Sequence, residues 1–259
     1  MSITVDPEWW KTLFDEVYLQ TDARSVCDDD LTRREIDVVL KMLPIRRDHK
    51  ILDLCGGHGR HSLELCARGY SGCTLLDFSQ VLIGHARTRA TAEHAPLDCI
   101  CGDARSTGLS SGCFDQVLIL GNSLGYTLSK GADRQILEEA YRVLTADGWL
   151  LVDVTDGRAI RQSFRPSSWH EIDDDMVVCR RRELQGDKLA ARELVMSKTS
   201  GLIRDENYAV TLYDNKTLKV LLGAVGFINI TVHDDFTPHQ SDGDYGFMNH
   251  RLLATGQKP

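Results

Sequence analysis

The chain has 259 residues, 42% of them hydrophobic and 26% charged, with a formal net charge of −8. That length supports one or two domains around a full buried core without cross-links. An acidic chain exerts no general pull on phosphate backbones, so nucleic acid is not an expected partner. No stretch approaches the length of a membrane span, so no membrane partner is expected. Met1 to Pro7 show neither the basic nor the apolar run of a secretory signal. The eight cysteines sit mostly in apolar or glycine-rich segments, as reduced thiols do, so a cytoplasmic protein is expected. Cys99 and Cys101 form a lone pair one residue apart, too few ligands for a structural zinc, and no metal is expected.

In chain order, Trp9, Trp10, Leu13, Phe14 and Val17 recur at helical spacing behind Asp6-Pro7. A second helix is predicted from Asp30 to Leu43, stopped by Pro44. Residues 1–45 therefore read as a helical cap. From His49 short apolar strands (51–54, 72–76, 97–101, 116–120 and 149–154) alternate with helices (60–68, 80–93 and 132–144), and Ala146-Asp147-Gly148 reads as a turn. Such alternation implies a parallel sheet covered on both faces. The rhythm breaks in 159–213, where three antiparallel strands are predicted at 175–183, 188–197 and 207–213. Asp214 then caps a helix closed by Gly226, and strands at 227–232 and 250–255 complete the pattern. The expected fold is α/β and Rossmann-like, with a seven-stranded, mostly parallel sheet. The core would be 46–158 and 214–259, and 159–213 an inserted antiparallel β-meander acting as a lid or substrate subdomain.

Between the first core strand and helix lies Asp53-Leu54-Cys55-Gly56-Gly57-His58-Gly59-Arg60-His61. Small residues there let the backbone turn tightly and approach a ligand. Asp77 closes the second strand, 18 residues after Gly59, where a carboxylate can accept both hydroxyls of a ribose. Asp103, in Cys101-Gly102-Asp103-Ala104, closes the third strand and faces the same crevice. Cys113 to Ser123 supplies the fourth segment at the expected distance. The glycines do not spell G-x-G-x-x-G, which argues against a nicotinamide dehydrogenase.

This series resembles the class I S-adenosylmethionine-dependent methyltransferases, in particular the small-molecule group with the first motif D-L-C-G-G-x-G-R-H. The likeness covers about 45–158 and resumes at 214–255, with Tyr141 to Gly148 and Leu222 to Phe227 similar to that fold's pre-strand turns. It implies S-adenosylmethionine as cofactor and a site set residue by residue. The backbone of Cys55, Gly56, Gly57 and Gly59, in the motif that also holds Asp53 and Arg60, would cradle the methionine moiety. Asp77 would hold the ribose, with Phe78 against the adenine. Asp103 would take the adenine amino group, helped by the backbone of Gly102 and Ala104. Leu120, Gly121 and Asn122 would lie beside the transferring methyl, and Tyr18 would close over the cofactor. Cys55 stands where the commonest version has glycine, and His58 where a small hydroxyl residue is usual.

Methyl transfer from a sulfonium is an in-line displacement, so the protein must chiefly align the reactants and exclude water. A general base is needed only when the nucleophile carries a proton. The acceptor is expected beyond the fourth and fifth strands, near Asn122, Ser123, Tyr126 and Asp153. In the insertion, Trp169 precedes the first predicted strand, and alternation puts Arg180 and Arg182 on one face and Arg181 on the other. An inward arginine would suit a carboxylate-bearing acceptor, and a solvated strand edge is the plainer alternative. Tyr208 and Tyr213 read equally as packing or pocket residues. His250 is a candidate base, although a lone histidine is more often structural. The expected function is methylation of an oxygen or nitrogen on a small molecule. A nucleic-acid or protein methyltransferase is disfavoured, because Leu120 to Tyr126 lacks an Asn-Pro-Pro-type motif. A non-catalytic cofactor-binding protein and a homodimer both stay open.

Overall fold

A computed structural model describes residues 2–21, 28–129, 131–237 and 249–259. Cys27 and most of the polar loop before His250 lie outside them. Helices α1 (Trp10–Leu13), α2 (Glu16–Thr21) and α3 (Asp29–Met42) precede the sheet. The core follows as β1 (Ile51–Leu54), α4 (Arg60–Ala67), β2 (Cys73–Asp77), α5 (Gln80–Ala92) and β3 (Leu97–Cys101), then β4 (Phe114–Ile119), α6 (Ala132–Val143) and β5 (Leu144–Thr155). After α7 (Gly157–Gln162) come β6 (Ser167–Glu171), β7 (Met176–Gln185), β8 (Lys188–Ser197) and β9 (Gly201–Thr211). Helix α8 (Asn215–Val225), β10 (Ile228–Phe236) and β11 (Arg251–Gln257) complete the order.

The seven-stranded sheet runs β10-β11-β5-β4-β1-β2-β3. β1 to β5 are mutually parallel, and β11 is antiparallel to both neighbours. Both faces are buried, as the alternating βα pattern requires. On one side Leu52, Leu54, Val117, Ile119, Val152 and Leu252 pack with residues of α6 and α8. On the other, Ile51, Leu118 and Leu151 meet Ile36, Val39 and Leu65 of α3 and α4. Side-chain caps begin the helices where the sequence offers them. The Asp28 carboxylate accepts from Leu31 N–H, Ser79 Oγ accepts from Leu82 N–H, and Asp214 with Thr217 forms a capping box. Gly226, at φ 115°, ends α8 in the left-handed region.

Three local features differ from the sequence expectation. The first helix is two short ones, because Asp15 Oδ1 accepts the N–H groups of Val17 and Tyr18 and starts α2 afresh. The expected turn at 146–148 is absorbed into β5 as a bulge, with Asp147 at φ 59° and a register shift against β4. The meander has four strands in the order β6-β7-β8-β9. β6 and the first half of β9 have no clean polar–apolar alternation, so periodicity alone does not reveal them.

The N-terminal segment ties the two sheets together. Ile3 N–H donates to Glu183 Oε2 at 2.8 Å, Asn207 Nδ2 to Thr4 O at 2.9 Å, and Arg204 Nη2 to Leu13 O at 3.2 Å and to the Asp15 carboxylate. Trp9 packs on Tyr208 with ring centres 5.6 Å apart. Towards the core, Ser79 Oγ donates to Phe14 O at 2.6 Å, and His85 meets Glu16 at 2.8 Å.

A buried ion pair joins β11 to β5. Arg251 opens β11 with its side chain fully buried against Asp153 of β5, and Asp153 Oδ2 also accepts Gly121 N–H at 3.2 Å. Arg251→Met leaves that carboxylate buried without its cation and should cost about 3–5 kcal/mol in urea unfolding. The double variant Arg251→Met/Asp153→Leu should recover most of the loss. Equal destabilisation by the single and double variants would show that packing volume, not charge, holds this corner.

Candidate active site

The site begins where β1 ends. Cys55, Gly57 and Gly59 adopt φ of 61°, 59° and 76°, so the chain doubles back before α4. Gly56 is fixed by crowding rather than by φ. A Cβ there would lie 2.4 Å from Leu75 Cδ1 and 2.5 Å from Asp53 Cγ. Asp53 is buried under the bend and accepts from Ser62 Oγ at 2.7 Å, and burial raises its pKa. Asp77, at the tip of the adjacent β2, accepts Gly57 N–H on Oδ2 and Ser79 N–H on Oδ1, each at 2.8 Å. Burial pushes its pKa up to about 6.

At the tip of β3, Asp103 accepts from Arg105, with Nε 3.0 Å from Oδ1. The Arg105 hydrogen bond holds the Asp103 pKa below its ordinary value. The Arg105 guanidinium lies 5.0 Å from the Trp10 ring centre, and Trp10 meets Phe78 edge-on at 4.8 Å. Phe78 nonetheless stays 40% exposed.

These groups open onto one cavity with about 750 Å³ of empty space, its solvent-open mouth included. The bend contributes Cys55 and Gly57, β4 contributes Gly121 and Ser123, and the β2 and β3 tips contribute Asp77, Phe78, Asp103, Ala104 and Arg105. The cap supplies Trp10, Phe14 and Tyr18, which face Tyr126 and Thr127. A Cβ on Gly121 would meet nothing within 4 Å, so that backbone borders open space. Two acids on neighbouring strand tips, an exposed aromatic face and a glycine-lined channel fit a nucleoside joined to a slender polar chain.

Of the residues singled out from sequence, Tyr18, Cys55, Gly57, Asp77, Phe78, Asp103, Ala104, Gly121, Ser123 and Tyr126 line this cavity. Others lie elsewhere. Leu120 and Asn122 are buried, and Asn122 Oδ1 accepts Thr155 N–H at 2.6 Å, stitching β4 to β5. Asp153, expected beside the acceptor, is instead enclosed with Arg251. Arg60 points away from the cavity to Thr32 and Glu35, while Gly56, Gly59 and Gly102 shape the turns without bordering it. Arg180 does face inward, but it is paired with the buried Glu193 at 2.7 Å and does not border the cavity. Tyr208 packs under Trp9, and the Tyr213 hydroxyl donates to Asp133 at 2.5 Å. Trp169 is 67% exposed, and His250 is an exposed residue outside the cavity lining.

Sequence reasoning missed Trp10, Phe14, Ser79, Leu82, Arg105, Thr127 and Ile136 as lining residues. The first two carried a signal, since Trp10, Phe14 and Tyr18 recur every four residues. Arg105 has none beyond its place two residues after Asp103.

Fold and cavity together define a Rossmann-like protein built for a nucleoside cofactor. Comparison with known proteins specifies the kind. Residues 51–148 match the methyltransferase-domain family. The Bacillus subtilis (strain 168) protein YqeM, a methyltransferase by assignment, is 29% identical over 154 residues, covering 59% of this chain and 62% of YqeM. The match thus spans less than two thirds of that relative. Glycine/sarcosine N-methyltransferase of Aphanothece halophytica is 29% identical over 217 residues, covering 82% of this chain and 79% of that enzyme. An S-adenosylmethionine-dependent methyltransferase from Clostridium acetobutylicum ATCC 824 superposes with a TM-score of 0.71 at 14% identity, covering 93% and 96% of the two chains. The chain thus carries a segment matching the methyltransferase domain, on a fold it shares with S-adenosylmethionine-dependent methyltransferases.

The crowding at Gly56 gives a direct test of the bend. Gly56→Ala should lower the melting temperature by several degrees and abolish the further rise on adding S-adenosylmethionine. A variant that melts and binds like the parent would show that Asp53 and Leu75 do not shape the loop.

Proposed function

We propose that this protein transfers the methyl group of S-adenosylmethionine to an amine nitrogen of a small molecule, by in-line displacement within this cavity. The observation that carries the reading is the convergence of Asp77 and Asp103 on one space that is also walled by Phe14, Tyr18 and Tyr126. When bound, the cofactor supplies a methyl group already activated by its positive sulfur. Asp77 would accept the ribose hydroxyls, Phe78 and Ala104 would flank the adenine, and Asp103 would take its amino group. The backbone from Cys55 to Gly57, with Gly121, would border the methionine portion.

The aromatic end is suited to nitrogen. Attack by an amine builds positive charge on that atom, and the faces of Tyr and Phe rings attract a cation. A neutral amine already presents its lone pair, whereas a hydroxyl requires a base in reach. The relatedness to a glycine/sarcosine N-methyltransferase supports the same choice. The volume, shared with a nucleoside cofactor, supports a small acceptor over a protein or nucleic acid. Thiols such as Cys55 and Cys101, free in the structure, suit a cytoplasmic setting.

The Asp77 role predicts a pH signature. Its pKa in the folded protein, about 6, lies above the ordinary 3.8. Its contribution to folding is therefore greatest below the ordinary value and is lost as pH rises through 6. Ribose hydroxyls favour the ionised acceptor, so cofactor affinity should move the opposite way. Titration calorimetry should show S-adenosylmethionine binding weakening by up to about tenfold per pH unit below 6 and levelling off above it. Asp77→Asn should bind more weakly at neutral pH and lose the step, and a pH-independent parent would refute the assignment.

The aromatic end is tested by turnover. With methyl-labelled cofactor and a panel of small amines, Tyr126→Ala should lower kcat at least tenfold while leaving cofactor affinity within about twofold. His250→Ala, altered at an exposed residue, should match the parent. Labelling confined to hydroxyl compounds would overturn the choice of nitrogen.

A further inference from the structure

Asp133 is engaged by more than its own helix. It lies in the first turn of α6, where an acid steadies the helix through its charge and needs no partner outside it. Its carboxylate nevertheless takes donors from two other segments. Oδ1 accepts Gly125 N–H and the Thr127 hydroxyl, each at 3.1 Å, and Oδ2 accepts the Tyr213 hydroxyl at 2.5 Å. Gly125 and Thr127 are the two neighbours of Tyr126, so one carboxylate oxygen holds the chain on both sides of that ring. Gly125 is gripped from β9 as well, its carbonyl accepting Thr211 N–H at 2.8 Å. Its φ of 103°, and a Cβ that would lie 3.2 Å from Thr211 O, suit glycine at this position. Tyr213 is anchored in turn, its carbonyl accepting Gly157 N–H at 2.8 Å where α7 begins. The Tyr126 ring then packs against Trp9 and Phe14 of the cap, with ring centres 5.4 Å away in each case.

We propose that Asp133 is the positioning residue for Tyr126: it fixes this wall of the cavity and ties it, through Tyr213, to the segment that leaves the β-meander. The role rests on the reading that Tyr126 walls the space of the acceptor. Tyr126 borders the cavity and Asp133 does not, so the carboxylate acts only through the loop. Placement matters because a shift of about 1 Å beside reacting groups can cost about 100-fold in rate. Both oxygens are needed. An asparagine would offer a single acceptor oxygen, so either Tyr213 or the Tyr126 loop would lose its partner.

Two readouts on the full chain test this. The first is fluorine NMR with fluorotyrosine incorporated throughout and resonances assigned from Tyr→Phe variants. Asp133→Asn should shift and broaden the Tyr126 and Tyr213 resonances and leave Tyr70, which packs with Arg47 at the amino edge of the sheet, unmoved. Tyr213→Phe removes one hydrogen bond and no charge, and should shift Tyr126 the same way by less, which keeps the test open if Asp133→Asn does not fold. The second is turnover of the small amine that the parent labels fastest. Asp133→Asn should raise KM and lower kcat/KM at least about tenfold, with S-adenosylmethionine affinity within about twofold. In a Tyr126→Ala background the same substitution should cost less than about twofold, because the ring it positions is gone. A Tyr126 resonance unmoved by Asp133→Asn and by Tyr213→Phe, or full additivity of Asp133→Asn with Tyr126→Ala, would overturn the inference. Parental turnover by Tyr126→Ala alone would instead sink the acceptor reading beneath it, and the NMR shifts would still show whether Asp133 holds the loop.

Discussion

Everything at the carboxyl edge of the sheet is set by how the chain turns after β1. Gly56 can sit on Asp53 only because it lacks a side chain, and that contact aims Gly57 N–H at the Asp77 carboxylate on the neighbouring strand. The hydrogen bond fixes the bend against β2 and fixes the carboxylate against the cavity. Asp77 therefore stands at the junction between a rigid backbone turn and open space. Its raised pKa is the electrostatic cost of that enclosure, only partly offset by N–H groups from Gly57 and Ser79. Ser79 extends the linkage outward, since its hydroxyl also caps α5 and donates to Phe14 of the cap. The cofactor bend and the aromatic wall are thus two residues apart in a single chain of hydrogen bonds.

Legibility in the sequence followed the range of the interactions. The order of strands and helices in the core was readable because the central apolar runs, β1, β4 and the second half of β5, are buried on both faces, and caps such as Asp214 and Gly226 act within one turn. The acids at the strand tips were readable for a similar reason. A residue just at or beyond the end of a parallel strand lies at the carboxyl edge, beside the crevice. Phe78, Ala104 and Gly121 line the cavity as neighbours of those strand ends.

What was not legible depends on partners far along the chain. Asp153 reads as a strand-tip acid like Asp77, and it is the distant Arg251 that encloses it. Arg180 reads as an available cation, and Glu193, on the paired strand, occupies it. Tyr213 gives up its hydroxyl to Asp133, which in turn receives Gly125 N–H and the Thr127 hydroxyl, so the tyrosine shapes the loop beside Tyr126 rather than lining the cavity itself. The β-meander was the least legible part. Both of its faces carry apolar residues, so the alternation that normally separates inside from outside is blurred.

The second half of the glycine motif illustrates how one short sequence serves two surfaces. Arg60 and His61 open α4 and turn away from the cavity, towards Glu35 on α3. Burial pushes the Glu35 carboxyl up, but Arg60 and His61 together outweigh it and hold it well below the usual range. Thr32 accepts from Arg60 at 2.9 Å, so two residues of α3 grip the start of α4. A buried charge held this tightly resists sliding between helices, because any shift strands an ion without its partner. The glycines need such an anchor. A loop with three left-handed residues in five has little intrinsic preference for one conformation, and the bend can keep its aim at Asp77 only if the helix that follows it is fixed.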